Sequence, residues 1–323
     1  MRIALAVTTL LASFAVTAQT FPRAGGDRPL RIIVTTAPGS GIDQVTRPIA
    51  EALSQRLNRP VVVDNRAGGN GVIGANVAAG TGDDGTTLLS TSNSFIINGV
   101  LKRFAFDVRK TFAPVVQVSS QYYLLLCPVS LPVSTFAELV EHARRNPGKV
   151  SFGSAGIGSV GHLGMEIIRA KTRIDLTHVP YKSNALAGLD LAAGRIQLLF
   201  SNIAGAQMAR SGKAKLIAVT SPRRLAAHPN VATIAESGIS GFELSNTYTI
   251  YASGKAPASA VAALNRELAQ ILSAPELKER FAADMSEVSP PHTPVELRKL
   301  LVAEFEKWDA VVKTANLGAA ALY

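Results

Sequence analysis

A single cysteine, Cys127, leaves this chain without any internal disulfide, so its 323 residues must hold a fold together by burial alone. Following Leu124–Leu126, that thiol reads as a small buried residue rather than a reactive one. Aromatic residues are scarce at 6%, and no run of four basic residues occurs despite a formal charge of +10. Nucleic acid needs stacking platforms and concentrated cations, so it is excluded as a partner. A dispersed basic field instead raises the local concentration of small anions. His142, His178, His228 and His292 have no partner at metal-ligand spacing, so neither a metal nor another cofactor is expected. No low-complexity segment or short-period repeat is present, and no G-x-S-x-G elbow surrounds Ser40, Ser154 or Ser159. After residue 18 no apolar run reaches the roughly 20 residues of a membrane-spanning helix.

The amino terminus carries the one long apolar stretch. Arg2 precedes Ile3–Val16, and Val16-Thr17-Ala18 places small residues where a signal peptidase reads, so 1–18 is expected to be a secretory signal cleaved near Ala18. The mature chain is then exported.

What organises the mature chain is a strand, a small-residue loop and a helix, used twice. In RIIVTTAPGSGIDQVTRPIAEA, Ile32–Val34 is a short buried strand and Ala37-Pro38-Gly39-Ser40-Gly41 a turn. Ile42, Val45, Ile49 and Leu53 then recur at helical spacing. In KVSFGSAGIGSVGHLGMEIIRA, Val150 and Phe152 mark the strand, Gly153–Gly161 the loop, and Leu163, Ile167 and Ile168 the helix. Each loop presents unpaired backbone amides and the positive end of a helix dipole, which suits a carboxylate or phosphate. Two such loops sharing one ligand fit a two-lobed protein.

Between and after these units, strands alternate with helices almost throughout, the pattern of parallel sheets wound on both faces. Ser259–Leu317 reads as nearly all helix, with no further sheet. Extended segments near 123–128 and 247–256 are able to act as hinge crossings. They place 28–126 with 251–323 in one lobe and 127–250 in the other.

Several local motifs add candidates. Gly156-Ile157-Gly158-Ser159-Val160-Gly161 satisfies G-x-G-x-x-G, but the next strand begins rather than ends at its acidic residue, Asp175, so the loop reads as an anion cradle without a dinucleotide. Asp43 sits in the first helical turn, where capping and direct ligand contact are equally open. His162 follows Ser159 by three residues. Ligand contact or capping is favoured there, and an exported serine hydrolase using Ser159 and His162, with Glu166 as orienting carboxylate, is the alternative. Polar groups also close other strands: Ser92-Asn93, Tyr181-Lys182 and Ser201-Asn202 all stand at carboxyl ends, where open α/β sheets bind ligands.

Six segments together resemble the Bug (TctC-like) family of periplasmic solute receptors. They are IVTTAPGSGID (Ile33–Asp43), PVVVDNRAGGNGVIG (Pro60–Gly74), the S-A-G-x-G-S-x-x-H of Asn146–Glu166, HVPYK (His178–Lys182), GRIQLLFSN (Gly194–Asn202) and AVTSPRR (Ala218–Arg224). The resemblance implies an α/β, two-lobed periplasmic-binding-protein fold of type II-like form, each lobe a wound sheet flanked by helices. It implies a non-enzymatic periplasmic receptor, expected to be a monomer, that closes on a small organic acid and hands it to two membrane-embedded transporter subunits, although many members occur without them. Carried over by position, the contacts are Ala37, Pro38, Gly39 and Asp43, with Ser92 nearby, facing Ser154, Ala155, Gly158, Ser159, His162 and Tyr181. Ser40, Gly41, Asn93, Ser201 and Asn202 complete the candidate set. Ser201 stands where the family often has aspartate; if that position faces the cleft, a carboxylate without an amino group is expected over an amino acid.

Overall fold

The computed structural model describes residues 28–81, 85–283 and 286–315. The signal-peptide expectation for 1–18 and the terminal Leu317 lie outside the described residues. In chain order the first strands are β1 (Leu30–Val34), β2 (Val61–Asn65), β3 (Thr87–Ser92) and β4 (Phe112–Tyr122). There follow β5 (Leu124–Cys127), β6 (Val150–Ser154), β7 (Leu176–Pro180), β8 (Leu198–Ser201), β9 (Lys215–Val219), β10 (Ser245–Ser253) and β11 (Ser286–Val288). The helices of the amino-terminal part are α1 (Gly41–Leu57), α2 (Val72–Ala79), α3 (Ser94–Val100) and the single turn α4 (Val108–Thr111). The middle of the chain supplies α5 (Phe136–Arg145), α6 (Val160–Thr172), α7 (Asn184–Ala192) and α8 (Ile203–Arg210). The last part contributes α9 (Ala258–Ser273), α10 (Pro275–Ala283) and α11 (Pro294–Thr314).

These strands form two sheets, ordered β11-β4-β10-β3-β1-β2 and β7-β6-β8-β5-β9. The helical stripe read from the first unit is real: Ile42, Val45, Ile49 and Leu53 are all buried along α1, packed with Leu264 and Leu268 of α9 over one face of the first sheet. A second cluster joins Leu124, Leu126 and Leu199 to α7 and α8 on one face of the second sheet. The largest cluster runs between the two halves, from Phe95 of α3 through Trp308 of α11 to Leu163 of α6 and Phe152 of β6. Cys127 lies within it, fully buried, and burial pushes its thiol up to about 11, so it is a packing residue.

The sheets differ from a purely parallel expectation. β1 is parallel to β2 and β3, and β6 to β7 and β8, but β10 runs antiparallel to β3 and β4, and β5 to β8 and β9. The cause is topological: β5 and β10 are the strands by which the chain enters each sheet on crossing from the other, and they run against the direction of the wound units. The terminal region is also not all helix. β11 adds a three-residue edge to the first sheet against Ser119–Gln121, too short and too flanked by helical pattern to announce itself.

Both passages between the sheets meet at one buried residue. The chain leaves the first sheet at Tyr123 and returns at Leu244. All of β10, including 245–250, pairs in the first sheet, whereas the sequence reading assigned 127–250 to the second lobe. Thr220 Oγ1 accepts from the Tyr123 amide (2.8 Å) and lies 2.6 Å from the Leu244 carbonyl. Its own amide donates to the Tyr123 carbonyl, and its carbonyl accepts from the Leu244 amide. Extended chain at the crossings is thereby satisfied by a single threonine that is inaccessible to solvent.

Candidate functional site

The first loop is built by its own helix start. Ser40, in extended conformation, caps α1 by accepting from the Asp43 amide at 3.4 Å. Asp43 turns inward: its carboxylate accepts from the Gly39 amide (2.8 Å), Arg47 Nε (2.9 Å) and Asn65 Nδ2 (2.9 Å) and is 2% exposed. Burial alone raises its pKa, but the hydrogen bonds from Arg47, Gly39 and Asn65 outweigh it and hold the carboxyl below the usual range. Of its two open roles, the structure gives it the one that shapes the loop.

The second loop repeats the plan with different chemistry behind it. Ser159 caps α6 by accepting from the His162 amide at 3.3 Å. The His162 ring turns back under the loop, and its Nδ1 accepts from the Gly158 amide at 3.1 Å. That ring stacks on His178 (centroids 3.9 Å apart), which stacks on Phe152 and meets Ser154 Oγ through Nε2 at 2.7 Å. Burial first, then the neighbouring His178 and Arg169, push His162 down to about 3; burial and Arg169 push His178 down to about 4. Both imidazoles are neutral at pH 7, which leaves His162 Nδ1 free to accept. Because that nitrogen is taken by a backbone amide and the other faces Glu166 at 3.8 Å, the imidazole has no lone pair for the Ser159 hydroxyl. The arrangement needed by the hydrolase alternative is not assembled.

Between the two loops lies a cleft of about 590 Å³, of the size small-molecule sites have. Ser40, Gly41 and Ile42 line it from the first loop, and Ser159, Val160 and Gly161 from the second. These are the first turns of α1 and α6, whose amides no helix can satisfy internally. Asn70 and Gly71, Ser92 and Ser94, and Lys182–Asn184 form the sides. Tyr123, Asn202, Asn246 and Tyr248 also line it. Asn202 Nδ2 donates to Gln121 Oε1 (2.9 Å), which also accepts from Tyr248 Oη (3.4 Å), and Tyr248 Oη accepts from Asn246 Nδ2 (3.1 Å). A relay of amides thus joins the second half to the tyrosine beside the first loop. Glycine is required there, since a Cβ on Gly41 would stand 2.5 Å from Tyr248 Oη. Among the described residues no acidic side chain lines the cleft, and Lys182 is the one charged residue that does.

Of the residues singled out from sequence, Ala37, Ser40, Gly41, Ser92, Ala155, Ser159 and Asn202 line this cleft. Pro38 and Gly39 sit exposed on the outer turn of the first loop. Asp43, Ser154 and His162 lie buried behind the loops they brace. Gly158 packs against Leu101, and Tyr181 donates to Asp190 at 2.7 Å. Asn93 is turned away, donating to the Ser245 carbonyl and lining a separate depression beside α11. Ser201 is buried against Gly205 of α8, one residue short of the cleft-lining Asn202. Sequence reasoning missed Tyr123, Asn246 and Tyr248, which come from the crossing segments. The alternation in FELSNTYTIYA, which puts Asn246 and Tyr248 on one strand face, was the available signal. Among the described residues, no cluster of three His, Cys, Asp or Glu side chains is arranged to hold a metal.

Comparison with known proteins agrees with this geometry. Residues 45–317 match the family described as "Tripartite tricarboxylate transporter family receptor". The chain is similar to Protein BugT of Bordetella pertussis, with 30% identity over 92% of this chain and 91% of that protein. Among solved structures it resembles R. palustris Rpa4515 with adipate (TM-score 0.79, 30% identity, 90% of this chain and 98% of that one). It also resembles MatC from Rhodopseudomonas palustris with bound malate (TM-score 0.76, 26% identity, 88% and 99%). With two wound α/β halves, a shared cleft between paired anion loops and a family match across most of its length, the chain belongs to the TctC (Bug) family of tripartite tricarboxylate transporter receptors, the periplasmic solute-binding proteins.

Proposed function

We infer that this receptor captures a small organic carboxylate in the cleft, with one carboxylate group held between the first turns of α1 and α6. The observation that carries the reading is the lining itself: two helix N-termini and their capping serines converge on a space that, among the described residues, has no acidic side chain and one lysine. Charge-assisted hydrogen bonds to an anion gain strength as closure excludes water. The relatives crystallised with adipate and malate support the ligand class.

The amino-terminal sequence and the family support the remaining parts of the reading. Hinge motion occurs about Tyr123 and Leu244, where Thr220 gathers both crossings. The mature protein begins after Ala18, resides in the periplasm as a monomer, and delivers its ligand to membrane transporter subunits without altering it. A carboxylate lacking an ammonium group is preferred. Ser201, on which the sequence argument for that preference stood, is buried away from the cleft; the support is that no carboxylate among the described residues lines the cleft to receive an ammonium.

Calorimetric and thermal-shift titration of the purified mature protein with malate, adipate and aspartate tests the proposal. Ligand at a hundred times its Kd stabilises by about 2.7 kcal/mol, which a melting curve reads directly. Malate or adipate is expected to bind and aspartate to bind at least tenfold more weakly. The proposal fails if no carboxylate raises the melting temperature and native mass spectrometry finds no co-purified acid.

A further inference from the structure

One arginine spans the two halves behind the cleft without touching its lining. After α3 ends, Lys102 takes a left-handed conformation (φ 56°) and the Arg103 amide closes the turn on the Asn98 carbonyl at 2.9 Å. The guanidinium then forks. Nη1 donates to Asn98 Oδ1 (3.1 Å) in its own half, and Nη2 to the Ile157 carbonyl (3.4 Å) in the other. Asn98, 1% exposed, passes the contact on by donating Nδ2 to the Asn70 carbonyl at 2.9 Å.

The Ile157–Gly158 peptide is therefore gripped at both ends. Its carbonyl meets Arg103 from the first half, and its N–H meets His162 Nδ1 in the second. Gly158 is confined as well: it sits at φ +76°, and a Cβ on it would lie 2.6 Å from Leu101 Cδ1. The next residues, Ser159–Gly161, line the cleft.

Arg103, like Arg298 with its backbone carbonyls, has no carboxylate beside it among the described residues. Arg47, Arg109 and Arg169 each pair with a carboxylate. Half-buried Arg103 meets only neutral oxygens among the described residues, and burial lowers its pKa. A cation without a counter-charge, placed behind an anion loop, adds positive potential where the ligand's charge arrives.

We propose that Arg103 is a positioning residue for the bound anion, bridging the second anion loop at Ile157 to the glycine-rich loop at Asn70 through Asn98 and favouring, among the positions the hinge allows, the wall spacing at which both loops meet the anion. This rests on the receptor reading for its ligand but not for its geometry, and the experiment separates the two. Hydrogen exchange of the ligand-free protein reads the brace alone. In Arg103→Ala, the hydrogen-bonded amides of Gly158, Ser159 and His162 are expected to exchange about tenfold faster, as loss of a charge-assisted hydrogen bond predicts, while amides of α9 are unchanged. Titration with malate or adipate, whichever binds the wild type, is expected to show a Kd raised about tenfold through the reduced population of the competent cleft. Arg103→Lys, which keeps the charge but cannot span both acceptors, is expected to restore the salt dependence of binding and not the exchange protection. Unchanged exchange at Gly158, Ser159 and His162 in Arg103→Ala overturns the proposal, as does faster exchange spread over the whole protein. Lost exchange protection with an unaltered Kd overturns its link to the ligand. A wild type that binds neither acid counts against the receptor reading and leaves the exchange result to judge the brace.

Discussion

Acidification from pH 7 to pH 5 should destabilise this protein through His162. Its folded pKa is pushed down to about 3 by burial, His178 and Arg169, whereas an unfolded histidine titrates near 6.5. In that interval the unfolded chain binds a proton that the folded chain refuses, so stability is fully present above about pH 6.5 and is lost as pH falls toward the folded value. For one such group the loss between pH 7 and pH 5 integrates to about 2 kcal/mol. His178, lowered to about 4 but more accessible, adds in the same direction with a smaller weight after solvent screening. Carboxylates with lowered pKa, such as Asp43, Asp64 and Asp107, lose their contribution only below about pH 4, so they do not confuse this window. Urea unfolding at pH 7, 6 and 5 of the wild type and His162→Gln provides the assay. The variant retains an acceptor for the Gly158 amide but no titrating ring. The wild type is expected to lose about 2 kcal/mol more than the variant across the range. Parallel losses in the two proteins would refute a neutral, buried His162.

Gly41→Ala places a methyl group against the buried Tyr248 Oη and is expected to weaken carboxylate binding at least about tenfold and to cost about 1–3 kcal/mol of stability, as calorimetry and urea unfolding would show. Thr220→Val leaves the buried Tyr123 amide without its acceptor and is expected to cost about 1–3 kcal/mol in urea unfolding. A cost near zero would mean that the two crossings are not held there. Lys182→Met removes the one charge that the described residues bring to the cleft lining and should raise the Kd for a dicarboxylate more than for its monoacid; equal effects would place the lysine outside the ligand's reach.

Much of this architecture was legible because its signals are local. The spacing of Ile42, Val45, Ile49 and Leu53 marked the buried face of α1 before any partner was known. What stayed hidden depends on partners far along the chain. Whether Asp43 faced a ligand or its own loop was decided by Asn65, from the neighbouring strand. Tyr248 and Asn246 enter the cleft because β10 inserts between β3 and β4, a pairing that no segment reveals alone. Ser201 and Asn202 show how sharply a strand end divides roles: adjacent residues point to opposite sides, one into packing against α8 and the other into the cleft.

The most direct test of the account is a crystal structure of the mature protein with malate or adipate bound. The account predicts a carboxylate group within hydrogen-bond distance of an amide in the first turn of α1 (Gly41 or Ile42) and of one in the first turn of α6 (Val160 or Gly161). An acid seated elsewhere, or held by only one of these helix starts, would contradict it.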